Sequence, residues 1–183
     1  MNFLGINLKV NTFATIITAK SFNKVTYYTV KFENEDYSEF EKFIIKHKSL
    51  KEVHNEYNDL MSLIKRLGNE IGALERYFSR KERKAEALPP EWNKLKSHER
   101  KLHVKYQHNL RLYCMRISDE VVFLFNGGVK TSGRITAEEC KVVRQYFRMA
   151  NKLASCIDEA MKDKELSFHG KKIEIEEDYE LIL

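Results

Sequence analysis

Between Lys101 and Ser132 the chain reads KLHVKYQHNLRLYCMRISDEVVFLFNGGVKTS. Its polar positions carry His103, Lys105, Arg111, Tyr113 and Arg116, and Lys130 and Arg134 follow the last apolar run. Cations with an aromatic between them, on neighbouring strands, can hold a phosphate and stack a base. The same residues also suit a solvated sheet face, where Lys and Arg keep an edge soluble. A second basic stretch lies upstream. Arg76-Tyr77-Phe78-Ser79-Arg80-Lys81 interleaves cations with aromatics, so Arg76, Arg80 and Lys81 are candidate contacts to backbone phosphates. A solvated loop accounts for that stretch equally well.

These side chains need a scaffold, and the apolar pattern supplies one. Leu102, Val104 and Tyr106 alternate with polar neighbours, as do Leu110, Leu112 and Cys114, with His108-Asn109 a turn between them. Val121 to Phe125 is continuously apolar, which suits a central strand covered on both sides. Asn126-Gly127-Gly128 ends or bends that strand. The three runs predict an antiparallel meander. Ahead of them, Val25 to Glu33 has the β-branched and aromatic content of a strand. Asp36-Tyr37-Ser38 then opens a helix with Tyr37, Phe40, Phe43 and Ile44 on one side. A second helix follows with Val53, Tyr57, Leu60, Met61, Ile64 and Leu67 at helical spacing, and Gly68 near its end. The two are expected to pack as a hairpin on the sheet. Residues 69–100 read as a long basic connection broken at Pro89-Pro90. Thr136-x-x-Glu139 has the form of a capping box and predicts the start of a long helix. Its apolar face is Cys140, Val143, Phe147, Ala150, Ala154, Ile157 and Met161.

Composition sets the bounds. A chain of 183 residues with 43% hydrophobic content and two prolines is long enough for a real core and is expected to form one α+β domain. Its net charge of +5 is unevenly spread: Arg76 to Arg116 is basic, whereas Asp158 to Leu183 is acidic. A basic middle points to a polyanionic partner, and an acidic end can screen it or meet a basic protein. Cys114, Cys140 and Cys156 are odd in number and lack close pairing, which suggests structural thiols in a cytoplasmic protein. His98, His103 and His108 lie five apart, on neither one helix face nor one strand face, so no metal set and no cofactor are expected. No apolar run reaches about 20 residues, so no membrane span is expected either. Residues 1–24 read as a leader or an edge strand, 25–161 as the domain, and 162–183 as an acidic extension with a hairpin around His169-Gly170.

The order strand, helix, helix, three-stranded meander, helix resembles the RelE/ParE toxin superfamily, nearest its HigB-like, phage-derived branch. The matching stretches are Leu102-His103-Val104-Lys105, Arg111-Leu112-Tyr113, Val121 to Phe125 with Gly128-Val129-Lys130-Thr131, and Ile135 to Glu139. Lys105 stands where the family often has arginine, and the usual lysine pair after the turn is Lys130 alone. The resemblance implies a toxin of a bacterial toxin–antitoxin pair that cleaves messenger RNA on the ribosome without a metal, with an antitoxin protein, possibly of helix-turn-helix type, as partner. Such cleavage needs the 2′-hydroxyl deprotonated, the phosphorane stabilised and the 5′-oxygen protonated. On that implication Lys105, Arg111 and Lys130 stabilise the phosphate and Tyr113 stacks a base or moves a proton. His103 is then a candidate acid or base, and Arg76, Arg80, Lys81, Arg116 and Arg134 bind RNA. Two other functions stay open: a non-catalytic interaction protein on the same scaffold, and a ParE-like gyrase inhibitor.

Overall fold

Val25–Val30 and Val121–Gly128 are buried without a break, the mark of strands covered on both faces. They lie side by side in a computed structural model that describes residues 12–91, 109–131 and 136–183. Strand β1 (Phe13–Ser21) turns back into β2 (Thr26–Phe32). Helices α1 (Glu39–His47) and α2 (His54–Arg66) follow, then the short strands β3 (Lys81–Glu82) and β4 (Ala85–Leu88). Next come β5 (Leu110–Arg116), β6 (Val121–Val129) and helix α3 (Arg144–Lys162). Strands β7 (Leu166–His169), β8 (Lys172–Ile175) and β9 (Leu181–Ile182) complete the chain.

Among the described residues, seven strands form one mixed sheet in the order β3-β4-β5-β6-β2-β1-β9. Its β2–β6 pair is parallel, with Tyr27 opposite Val122, and the other pairs are antiparallel. A parallel pair requires a crossover, and the chain between β2 and β6 carries α1 and α2 across one face. Phe40, Phe43, Tyr57, Leu60 and Ile64 pack there against Tyr27, Leu112, Val122 and Leu124. Helix α3 covers the opposite face with Phe147, Ala150, Leu153, Ala154 and Ile157. The α+β class expected from the sequence is therefore present, but in a wider sheet with helices on both sides.

Local chemistry explains the element ends. Ser38 caps α1: its Oγ accepts from the Glu41 amide at 3.3 Å, and Glu41 Oε2 accepts from the Ser38 amide at 2.8 Å. Tyr37, expected on the apolar side of this helix, is instead 52% exposed because it precedes the cap. Glu56 on α2 accepts from the amides of Asn109 and Leu110 at 2.8 and 2.7 Å, tying that helix to the start of β5.

Three expectations need correction. The stretch 69–100 is not simply a connection. Tyr77 and Phe78 are 2% and 0% exposed in the core, and Ala85–Leu88 forms the strand beside β5 where the meander reading put 102–107. That predicted first meander strand lies outside the described residues. The Thr136–Glu139 capping box is formed, with Thr136 N to Glu139 Oε2 at 2.7 Å, but it caps irregular turns, and regular helix begins only at Arg144. Finally, of the two roles expected for Asn126-Gly127-Gly128, ending or bending the strand, the first does not hold: β6 runs through it to Val129, with an irregular register against β5 between Leu112 and Cys114.

The C-terminal segment is part of the fold. Strands β7 and β8 pair as a hairpin that Tyr28 holds, its hydroxyl donating to Lys171 O and accepting from Ile173 N, both at 2.9 Å. Lys171 Nζ reaches the carbonyls of Phe22 and Asn23 at 2.9 and 2.8 Å. Strand β9 adds to β1 by pairing Ala14 with Leu181.

Two outcomes test this packing. A methyl group at Gly127 would sit 1.9 Å from the Arg111 carbonyl oxygen, so Gly127→Ala must push β5 and β6 apart. Its unfolding free energy should drop by about 1–3 kcal/mol or more in urea titrations. His47 is buried beside the Phe43 ring, with Nδ1 2.8 Å from Phe43 O, and burial holds its pKa below the usual imidazole value. The unfolded chain takes up that proton first, so this contribution is complete above the ordinary pKa of about 6.5 and is lost as pH falls below it. His47→Gln should flatten the fall in stability between about pH 6.5 and pH 5 relative to the parent.

Candidate functional site

Register decides which of the polar residues meet. Residues directly opposite across a strand pair share a face, and side chains on one strand return to that face every second residue. Glu82 lies opposite Ala85, Ala87 opposite Tyr113, and Arg111 opposite Gly128. The Ala87 amide donates to Arg80 O at 2.9 Å, which sets Arg80 beside that row. Lys130 falls two residues beyond Gly128, and its amide donates to Asn109 O at 2.9 Å. Arg80, Glu82, Arg111, Tyr113 and Lys130 thus gather on the α3 side of the sheet, at the end where α3 begins. The start of α3 lies over the same row: a Cβ at Gly128, opposite Arg111, would lie 3.3 Å from Val143 and from the Tyr146 ring.

The cluster is electrostatically tense. Arg111 is 7% exposed, and its Nη1 donates to Leu110 O at 2.9 Å. Burial and the neighbouring Arg80 guanidinium lower its pKa to about 10, while Tyr113, Glu82 and Glu56 oppose the shift. Burial also lowers Arg80, whose Nε donates to Pro89 O at 3.1 Å. Glu82 is moved the other way: burial raises its carboxyl even though Arg80, Lys130 and Arg111 pull it down. Burial, then the Glu82 charge, pushes the Tyr113 phenol well up, so it stays protonated at neutral pH. Its hydroxyl is buried and has no hydrogen-bond partner among the described residues.

Cys140 borders the same cluster. Its Sγ lies 3.5 Å from Thr131 Oγ1. Burial works to raise this thiol, but hydrogen bonds from the Thr131 hydroxyl and from the amides of Thr131, Val143 and Val142 outweigh it and bring it to about 7. Cys114 behaves oppositely, raised well above the ordinary thiol value by complete burial.

The structure brings together four of the residues singled out in the sequence: Arg80, Arg111, Tyr113 and Lys130. Three others lie elsewhere. Arg116 stands at the far end of β5, where it donates to Ala73 O and pairs with Asp119. Lys81 pairs with Glu86 at 2.6 Å on the opposite face of the β3–β4 hairpin. The Arg76 guanidinium sits 5.1 Å from the centre of the Tyr77 ring. His103, Lys105 and Arg134 lie outside the described residues. Tyr113 is no platform for a base, because its ring is fully buried and packs edge-on against Phe147 at 6.2 Å. Sequence reasoning missed Glu82. The one signal was its alternation with Arg80 ahead of the Arg83-Lys84 turn, where Arg83 adopts φ 66°.

Comparison with known proteins finds no match among family models, curated proteins or solved structures. Among the described residues, no group of His, Cys, Asp or Glu is placed to hold a metal ion, and no helix is long and apolar enough to cross a membrane. Chemically, the arrangement is suited to an oxyanion. The buried Arg111 guanidinium, the half-buried Arg80 guanidinium and an ammonium converge beside a protonated phenol that lacks an acceptor among the described residues, and a phosphate could meet the cations and accept the hydrogen bond.

Tyr113→Phe separates the functional from the structural role of the hydroxyl. Since the group has no partner to lose, unfolding free energy should be unchanged or rise by about 1 kcal/mol, while affinity for a phosphate-bearing ligand falls.

Proposed function

We propose that this chain binds RNA through its phosphodiester backbone and cleaves it, acting as the toxin of a bacterial toxin–antitoxin pair of the RelE/ParE-like kind. The observation that supports this reading is the convergence of Arg80, Arg111, Lys130 and Tyr113 around Glu82. Arg111, Arg80 and Lys130 stabilise the negative charge that grows on the phosphate oxygens as the 2′-oxygen attacks. Glu82, whose carboxyl burial raises above the usual carboxylate value, takes the 2′-hydroxyl proton. Tyr113 is held in its protonated form, the form in which a general acid must begin, and gives its proton to the departing 5′-oxygen. The products are a 2′,3′-cyclic phosphate and a 5′-hydroxyl. A ribosome-bound messenger as substrate and a protein antitoxin as partner belong to the same proposal.

The burial of Arg111 and Tyr113 favours a second reading, a non-catalytic interaction protein on this scaffold. Controlled expression in bacteria separates the two. Wild type should halt protein synthesis and leave cyclic-phosphate ends on cleaved transcripts. Arg111→Ala/Lys130→Ala should do neither. Glu82→Gln should lower the cleavage rate about 10²–10⁴-fold, the usual worth of a positioned base. Since Arg111 is buried, Lys130→Ala alone and Arg111→Lys serve as folded controls. Unimpaired growth in the native host with wild-type protein would remove the toxin assignment and select the second reading.

A further inference from the structure

Strand β3 has two residues, and the turn that joins it to β4 reaches past the pairing of β4 with β5. Lys81 lies opposite Glu86 and Glu82 opposite Ala85, whereas β4 pairs with β5 only from Glu86 to Leu88. A ribbon so short is not stable by itself in water. Its turn is strained as well: Arg83 holds φ 66°, in the left-handed region that is costly for a residue with a side chain. Yet Glu82 stands on this ribbon, and its carboxyl belongs to the cluster with Arg80, Arg111 and Lys130. Something beyond the sheet must hold it there.

Helix α3 does so. Asn151 Oδ1 accepts from two successive amides of the turn, Lys84 N at 2.9 Å and Ala85 N at 3.1 Å. Its Nδ2 donates to Phe147 O one turn back at 2.9 Å, so its own helix orients the group that meets the turn. One side chain thus grips the backbone at two points. The side chains of the turn add weaker holds. Arg83 lies over the Phe147 ring, 5.4 Å from its centre, and pairs with Glu138, while Lys84 pairs with Asp158 at 2.8 Å. Both ion pairs are exposed and contribute little in water. Phe147 in turn meets the Tyr113 ring edge-on, so the grip and the phenol share a neighbour.

We propose that Asn151 is a positioning residue for the cluster: by gripping the Lys84–Ala85 backbone it fixes the place of Glu82 beside Arg80, Arg111 and Lys130. This inference rests on the reading of Glu82 as part of the functional site and extends it to a residue that acts only through the turn. A carboxylate that takes a proton must stand within hydrogen-bond reach of it, and a displacement of about 1 Å can cost about 10²-fold in rate. A two-residue strand has little stiffness of its own to meet that demand. A helix of 19 residues packed across the sheet has enough, and the amide of Asn151 transmits it.

The test compares the full chain with Asn151→Ala, Asn151→Asp and Asp158→Asn, each checked for folding by circular dichroism. The first loses the grip, the second keeps an oxygen to accept both amides, and the third removes only the exposed pair with Lys84. The Glu82 carboxyl is followed by carbon NMR across pH. In wild type it should titrate above the usual carboxylate range. In Asn151→Ala it should fall back to that range as the ribbon swings into water, whereas Asn151→Asp and Asp158→Asn should keep it raised. A role confined to stability would lower the urea midpoint of Asn151→Ala and leave the Glu82 titration of the folded protein where it was. That result overturns the inference, as does a Glu82 that titrates normally in wild type. Cleavage of single-stranded RNA is the second readout. Loss of the grip should lower kcat by about 10–10²-fold with KM little changed, and Asn151→Asp should recover most of it. An active wild type whose kcat is untouched by Asn151→Ala also overturns the inference. If wild type cleaves no RNA while the Glu82 titration moves as described, the cleavage reading falls and the positioning role of Asn151 stands.

Discussion

Strand β6 leaves no face for solvent, and this double burial governs the arrangement around it. Val121, Phe123 and Phe125 need cover on one side, Val122 and Leu124 on the other. A single helix layer cannot supply both. The chain therefore carries α1 and α2 across the sheet on the way from β2 to β6, then sends α3 to the opposite face immediately afterwards. The end of β6 is fixed by sterics as closely as its middle is by burial. At Gly127 the β5 backbone approaches too near for any side chain, and at Gly128 the Val143 and Tyr146 side chains close in from the other side, 3.3 Å from where a Cβ would stand. Tyr146 stands in the first turn of α3, so that helix begins over this end of β6.

What lies beneath is a group of charges that a core would not normally admit. A buried guanidinium is costly unless it is paired, and two near each other are costlier. Burial lowers both Arg111 and Arg80, the Arg80 guanidinium adds to the shift at Arg111, and Glu82 opposes the shift at both. The phenol of Tyr113 adds a polar group with no acceptor among the described residues. Exposed pairs such as Lys84–Asp158 contribute little either way in water. Apolar rows enclose the region, Phe147 and Val143 above and Ala85 and Ala87 beside. Local conflict of this kind is where natural sequences depart from their own packing rules, and such departures are concentrated at functional sites.

Much of this was legible in the residues, and the omissions have physical causes. Periodicity located β2, α1, α2, β5 and β6, because each presents several apolar side chains at a fixed spacing. The face of α3 was equally clear, yet its first turns are irregular despite a complete Thr136–Glu139 cap, since a cap favours a helical start without dictating how many turns follow regularly. Strand β4 was hidden because Ala85 and Ala87 are small, Glu86 is charged and Pro89-Pro90 follows, so nothing in Ala85–Leu88 looks like a strand until Tyr113 and Leu112 are seen opposite it. That hidden strand also concealed Glu82. The grouping of Arg111, Tyr113 and Lys130 could be read from alternation, but whether each faced solvent could not. Arg111 and Tyr113 are interior because of what α3 does more than 30 residues later.

The pairing of the two ends of the sheet has a consequence for the order in which the protein can assemble. Thr12 and Leu183 exchange backbone hydrogen bonds at 3.4 and 2.9 Å, and Ala14 is paired with Leu181. Strand β1 therefore leaves the ribosome long before its outer neighbour β9 does. Meanwhile β2 must wait for β6 before its parallel partner exists. Contacts so distant along the chain close slowly, and an unpaired strand is exposed to foreign strands in the interval. The register shift between Thr18 and Lys20 breaks the regularity of β1 in that open stretch, so the nascent chain offers a poor template to its neighbours on a crowded polysome.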